Sequence, residues 1–215
     1  MSVSPLLSLI EIPLITALKH IDQWLFLKIN TVWTNSFLDT VYPFWRDAYT
    51  WAPLYLFLVV FILLNFGWKS WTWIVFFLLC FAITDQLSSH FIKYWVNRPR
   101  PCQDDLMGPY VRELLGRCPG NPSFPSSHAT NHFGLAFFSY LTLKPYIKNW
   151  AYLFFFWAAT ISYGQIYVGV HYPSDILGGA IIGSFVGWLT AFEYNRFVGL
   201  PPLLSEYKKL HTKTL

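Results

Sequence analysis

His171 stands four residues before Asp175, in the stretch Gly169-Val170-His171-Tyr172-Pro173-Ser174-Asp175. If a helix starts at that link, the two side chains share one face. A carboxylate on one ring nitrogen of an imidazole fixes the tautomer and leaves the other nitrogen free to attack. Upstream, Pro125-Ser126-Ser127-His128 brings two hydroxyls and a second histidine, and Lys93 is followed after six residues by Arg100-Pro101. A protonated His128 would donate to a leaving oxygen as general acid. Ser126, with the backbone N–H groups of Ser127 and His128, would form an anion site at a helix N-terminus. Guanidinium grips phosphate oxygens as a fork, and lysine adds a point charge. Pro99 and Pro101 hold Arg100 extended. The set suits phosphoryl transfer through a phosphohistidine. Taken singly, each residue has a blander reading: a packing hydrogen bond for the histidines, or Lys93 snorkelling at a span end. The three blocks together favour catalysis.

These groups sit in a chain made for lipid. Of 215 residues, 54% are hydrophobic, 20% aromatic and only 12% charged, about half the usual charge of a soluble domain. The net charge of +4 is spread without a basic stripe, which excludes a nucleic-acid partner. The N-terminus has no basic region, apolar run and cleavage site in sequence, so insertion is expected to use internal spans.

Residues 1–47 mix Trp24, Phe26, Trp33, Phe37 and Trp45 with Asp22, Lys28, Asp39, Arg46 and Asp47. That mixture reads as one or two helices lying in the membrane interface. Five apolar stretches follow, at 48–66, 71–92, 128–143, 150–168 and 174–194. Gly178, Gly179, Gly183 and Gly187 give the last a smooth face for close packing. If the five alternate, Lys69, Lys144, Lys148, Arg196, Lys208, Lys209 and Lys213 fall on one side, which the positive-inside tendency makes cytoplasmic. The loop 94–127 and the link 169–174 then face outward. Cys102 and Cys118 share that loop, where a disulfide would contribute roughly 3 kcal/mol in the chain-entropy model; two free thiols are the alternative. Cys80 reads as an apolar filler.

At these blocks the chain resembles the type 2 phosphatidic acid phosphatase (PAP2) superfamily, membrane lipid phosphatases related in active-site architecture to vanadium haloperoxidases. The family pattern runs Lys, six residues, Arg-Pro; then Pro-Ser-Gly-His; then Ser-Arg, five residues, His, three residues, Asp. Lys93, Arg100 and Pro101 complete the first block. Pro125, Ser126, Ser127 and His128 match the second with Ser127 for glycine, and His171 and Asp175 end the third, which begins Gly164-Gln165 instead of Ser-Arg. The resemblance implies that His171 is the nucleophile, Asp175 its partner and His128 the acid. It implies that Lys93, Arg100, Ser126 and Ser127 hold phosphate, with no metal and no cofactor. Gln165 offers an amide where the family has a charge; losing a charge-assisted contact costs about 1.5–3 kcal/mol. Arg98, Arg112 and Arg117 are the candidates to replace it, Arg98 first.

The expected architecture is an all-α polytopic bundle of about five transmembrane helices. It comprises an interfacial segment 1–47, a phosphatase domain 48–198 and a basic cytoplasmic tail 199–215. The expected setting is a bacterial inner membrane with the site facing the periplasm. The expected substrate is a lipid phosphate in the bilayer: undecaprenyl diphosphate first, then lipid A phosphate or phosphatidylglycerol phosphate. The alternatives are a silent lipid-binding relative, for which Gln165 is the argument, and a lipid phosphotransferase. The sequence carries no reading of oligomeric state.

Overall fold

A computed structural model describes the backbone of residues 5–203 and the side chains of 13–203; the basic end of the tail, residues 204–215, lies outside the described residues. All the regular structure described is helical. The elements are α1 (Pro5–Leu27), α2 (Ser36–Trp45), α3 (Ala52–Phe66), α4 (Trp71–Asp85), α5 (Lys93–Val96), α6 (Ser127–Ile147), α7 (Leu153–Tyr167) and α8 (Pro173–Phe197).

Each boundary has a local cause. Pro53 occupies the first turn of α3, where its missing N–H costs nothing, and Gly67 ends that helix at φ 78°. One tight turn, Trp68–Ser70, reverses the chain into α4. α4 widens into a π-helical stretch, Gln86–Ile92, before α5. Such widening shifts the helical register and is frequent near functional sites. Asn97, left-handed at φ 48°, then stops α5 and releases the loop that carries Arg100. Ser126 caps α6, its Oγ accepting from Ala129 N. At the head of α8, Pro173 is at the first turn, and the Asp175 carboxylate accepts from Tyr172 N at 2.8 Å.

Three helical stretches are long and apolar enough to cross a membrane: Ala48–Phe66, Trp68–Gln103 and Pro173–Phe197. The stretches expected as two further spans form the helices α6 and α7, which do not reach that length and apolarity. α6 falls short on apolarity because it is the inner helix: Thr130, Asn131, His132, Ser139 and Thr142 are buried against neighbouring helices instead of facing lipid. A polar residue at bilayer depth is tolerated where it faces the bundle interior.

The contact of α6 with α8 sets the distance between the two histidine-bearing blocks. A Cβ at Gly183 would fall 2.1 Å from Thr130 O, and one at Gly187 would fall 2.2 Å from Gly134 O. Only glycine lets the two backbones meet at this separation. Of the other two expected glycines, Gly179 also lies against α6, where a Cβ would fall 2.7 Å from Ser126 O, and Gly178 faces the Phe124 ring instead. Below this seam lies the apolar core, with Leu58, Ile62, Trp73, Phe138, Ile161 and Tyr194 drawn from α3, α4, α6, α7 and α8.

The N-terminal segment docks on this bundle through polar contacts. Asn30 Nδ2 donates to Tyr167 O at 2.8 Å, Trp45 Nε1 donates to Thr160 Oγ1 at 3.0 Å, and Tyr42 packs on Tyr167 with ring centroids 4.8 Å apart. Leu14, Ile15, Leu18, Ile21 and Trp24 of α1 remain exposed.

Candidate active site

A cavity of about 410 Å³ opens where α5, the head of α6, the α7–α8 link and the end of α2 converge. Lys93, Arg100, Ser127, His128, Gln165 and His171 all line it. Residues far apart in the chain therefore share one chamber. This is the end of the bundle opposite the turns that carry Lys69, Lys144 and Lys148.

His171 is held at both ring nitrogens. Arg100 Nη1 lies 3.2 Å from His171 Nε2. Guanidinium only donates, so Nε2 carries the lone pair and Nδ1 the proton in this arrangement. Nδ1 faces Ser123 Oγ at 3.2 Å and Asp175 Oδ2 at 3.6 Å. Burial pushes the His171 pKa down to about 3, with Arg100 and Lys93 adding to the shift and Asp175 opposing it. The imidazole is thus neutral at physiological pH, with Nε2 unprotonated.

Asp175 does not act on His171 alone. Its side chain is wholly buried and accepts from Arg98 Nη1 at 2.7 Å, Tyr172 N at 2.8 Å and Ser123 Oγ. Ser123 bridges the carboxylate and the imidazole. Arg98 continues outward to Asp22 of α1, at 2.7 Å through Nη2, while its guanidinium covers the Tyr172 ring at 4.2 Å. Arg98 therefore braces the carboxylate from behind and is not among the residues lining the cavity. The auxiliary phosphate contact expected of it is not what its position offers: two carboxylates hold it away from the chamber.

Arg100, two residues on, is turned inward. Its Nε and Nη2 donate to Asn121 O and Asn121 Oδ1, both at 2.8 Å, and Nη1 also donates to Val170 O at 2.8 Å. Lys93 is 2% exposed, and its Nζ donates to Ser127 Oγ at 3.2 Å. The hydroxyl that stands in place of glycine thus gives Lys93 an acceptor. Ser126, expected to hold phosphate, is buried as the α6 cap and does not line the cavity; Ser127 and His128 at the start of the helix do. Behind His128, His132 Nδ1 contacts His128 O at 2.7 Å, and Asn131 donates to Asp85 Oδ1 at 3.0 Å.

Neither remaining arginine replaces the missing charge. Arg112 is spent on Asp39 and on Asn30 O, and Arg117 is exposed in the loop. Cys102 and Cys118 are joined in a disulfide, which closes the loop between Arg100 and its partner Asn121. Ser123, Asn121, Asp22 and Arg46 carry no motif. The one signal for Ser123 was a hydroxyl placed three residues before Ser126 in the same turn-rich run.

Residues 71–197 match the PAP2 superfamily. The chain belongs to that family. With the family come the fold and enzyme class: this PAP2 protein is an integral membrane phosphatase acting on lipid phosphates. A lipid A 4'-phosphatase of Bacteroides thetaiotaomicron is 36% identical over 182 residues, 83% of this chain and 79% of its own length. A lipid A 4'-phosphatase of Porphyromonas gingivalis is 32% identical over 171 residues, 78% of this chain and 70% of its own. Among solved structures, Aquifex aeolicus LpxE shares 28% identity at a TM-score of 0.54, covering 77% of this chain and 92% of that one. The PAP2-type phosphatidylglycerolphosphate phosphatase of Bacillus subtilis superimposes at a TM-score of 0.63 with 20% identity, covering 84% and 88%, and speaks for the fold alone.

Proposed function

We propose that this PAP2 protein removes a phosphate ester from a lipid A-type glycolipid, at the outer face of a bacterial inner membrane and without a metal. The observation that carries the substrate class is how far the similarity to the lipid A 4'-phosphatases extends: 83% and 78% of the chain. The likeness to an undecaprenyl-diphosphatase of Sulfolobus acidocaldarius spans 78 residues, 36% of the chain. The order of substrates expected from the residues alone is therefore reversed: lipid A phosphate comes first and undecaprenyl diphosphate after it.

The steps follow from the geometry. His171 Nε2 attacks phosphorus, the P–O bond to the sugar breaks, and His128 gives its proton to the departing alkoxide. Asp175, with Ser123, keeps the proton on Nδ1 and stabilises the imidazolium as charge develops. Lys93, Arg100 and the N–H groups at the head of α6 stabilise the equatorial oxygens, the electrostatic part of phosphoryl-transfer catalysis. Water then attacks phosphorus, returns its proton to His128 and releases phosphate from His171.

A second cavity, about 780 Å³ and apolar, suits acyl chains. Trp45, Trp51, Leu54, Leu58 and Trp157 line it. Trp157 packs edge-on against His132, which lines the polar chamber, so that ring pair stands between the two cavities. α1 would lie in the interface with its exposed leucines and isoleucines toward lipid. The disulfide fits an oxidising outer compartment.

The test is phosphate release by the detergent-purified protein in chelator from a panel of lipid phosphates, beside His171→Ala. Release from lipid A phosphates at higher kcat/KM than from undecaprenyl diphosphate, lost in the variant, is the expected result. A folded protein that releases nothing would point to the silent lipid-binding alternative.

A further inference from the structure

We propose that Arg46, at the end of α2, supplies the third phosphate-binding cation of this site, and that Gly164 and Gln165 are its seat. The inference rests on the phosphatase reading above and assigns one further residue to the same chamber. Arg46 lines the cavity together with Lys93, Arg100, His128 and His171. Its Nε donates to Gln165 Oε1 at 3.0 Å, and Gln165 Nε2 returns a weaker bond to Arg46 O at 3.4 Å. The amide thus holds both the side chain and the backbone of the arginine. With Nε engaged, the two Nη groups make no hydrogen bond to a described residue. They form the end-on fork that suits two oxygens of one phosphate.

The glycine completes the seat. A Cβ at Gly164 would fall 2.8 Å from Tyr42 Cδ1 and 3.2 Å from Arg46 Cβ, so a serine there would push the end of α2 off α7. An arginine at position 165 would bring a second guanidinium against the first, where an amide oxygen now accepts from it. The two departures from Ser-Arg are therefore one change: the cation is no longer carried by α7 but docked onto it. The dock is anchored on both sides of Arg46, by Trp45 Nε1 donating to Thr160 Oγ1 at 3.0 Å and by Trp51 Nε1 donating to Trp45 O at 2.8 Å.

The test uses the full-length protein in detergent, with inorganic phosphate as the binding probe and lipid phosphate hydrolysis as the rate. Arg46→Ala should weaken phosphate binding and lower kcat/KM, each about 10- to 100-fold. The exposed Arg117→Ala, which removes the same net charge, should do neither. Adding Gln165→Arg alone to Arg46→Ala, with Gly164 kept so that α2 stays seated on α7, should recover most of both losses, because a cation returns to the chamber from α7. The same substitution with Arg46 retained should gain nothing over the wild type. Phosphate binding and kcat/KM within twofold of wild type in Arg46→Ala would overturn the assignment. So would a loss that the restored arginine does not recover, which would make Arg46 a peg for α2 only. A folded wild type that binds no phosphate would overturn the phosphate site as a whole and this assignment with it.

Discussion

Arg98 and Arg100 are two residues apart and do opposite work. Arg100 faces the chamber, 3.2 Å from His171 Nε2, the nitrogen proposed as the nucleophile. Arg98 faces away, shared between Asp22 and Asp175 at 2.7 Å each. The same division runs through the whole molecule. The rim built by α5, α6 and the head of α8 carries the family's blocks and lines the chamber. The N-terminal segment, α1 and α2, carries no motif, yet it delivers Asp22 behind the site and Arg46 into it. Chemistry that must touch phosphate is tied to fixed spacings. Charge that only has to be near is supplied by whichever element packs there.

The sharpest way to test that division is to remove the group on which both regions converge. Asp175→Asn leaves the Tyr172 and Ser123 contacts possible but neutralises the acceptor facing Arg98 and His171. The imidazole is then free to take the wrong tautomer, and kcat should fall about 10³- to 10⁴-fold. Single-turnover kinetics on lipid phosphate would read this directly. A fall of under tenfold would mean that Ser123 alone orients His171.

Rim geometry comes next. Gly183→Ala places a methyl where 2.1 Å is available to Thr130 O, so α6 and α8 must part. The histidine of one block moves relative to that of the other. A misplacement of an ångström costs about 100-fold in rate, and overpacking adds a stability loss of about 1–3 kcal/mol. Retained kcat would show that the two blocks tolerate more separation than the seam suggests.

The blocks were legible because their residue types are scarce in an apolar chain and their spacing fits helix ends. Lys93, Arg100, His128 and His171 all reach the cavity. The glycines of α8 were legible for a related reason: a repeat of three or four residues on an apolar helix has few uses besides close packing. Ser126 and Ser127 were both expected on the phosphate and only Ser127 lines the cavity, because which hydroxyl caps a helix and which faces the chamber depends on where α6 begins, a one-residue question. Arg46 and Asp22 were illegible. In the sequence they are ordinary charges of an interfacial segment, and only the packing of α2 on α7 and α1 near α8 gives them partners. The Gly164-Gln165 departure was visible as a missing charge. That the same pair marks the place where another element docks required the contact itself.

Removing the brace from the rear should cost less than touching the rim. Arg98→Ala strips the cation shared by Asp22 and Asp175. The Arg98 side chain is a quarter exposed, so water replaces part of what it gave. A stability loss of about 1–3 kcal/mol and a rate loss of about tenfold are expected. Asp22→Asn should do less of both, since it leaves the Arg98–Asp175 pair in place. Unfolding midpoints and kcat measured on both variants would rank them, and a larger effect from Asp22→Asn would put the weight on the α1 anchor instead.

The last effect is read in stability alone and belongs to His171. Its folded pKa lies near 3, below the ordinary value of 6.5 that the unfolded chain returns to. Between those values the unfolded state binds the proton and the folded state does not. The stability from keeping the ring neutral is therefore complete above pH 6.5 and drains away as pH falls toward 3, at no more than about 1.4 kcal/mol per pH unit. Acidification from pH 7 to pH 4 should lower the unfolding midpoint of the wild type more than that of His171→Gln, which has no proton to take up. Parallel curves would mean that the ring takes up its proton in the folded state at an ordinary pH, through water admitted to the chamber, and the division between a dry rim and a hydrated brace would have to be redrawn.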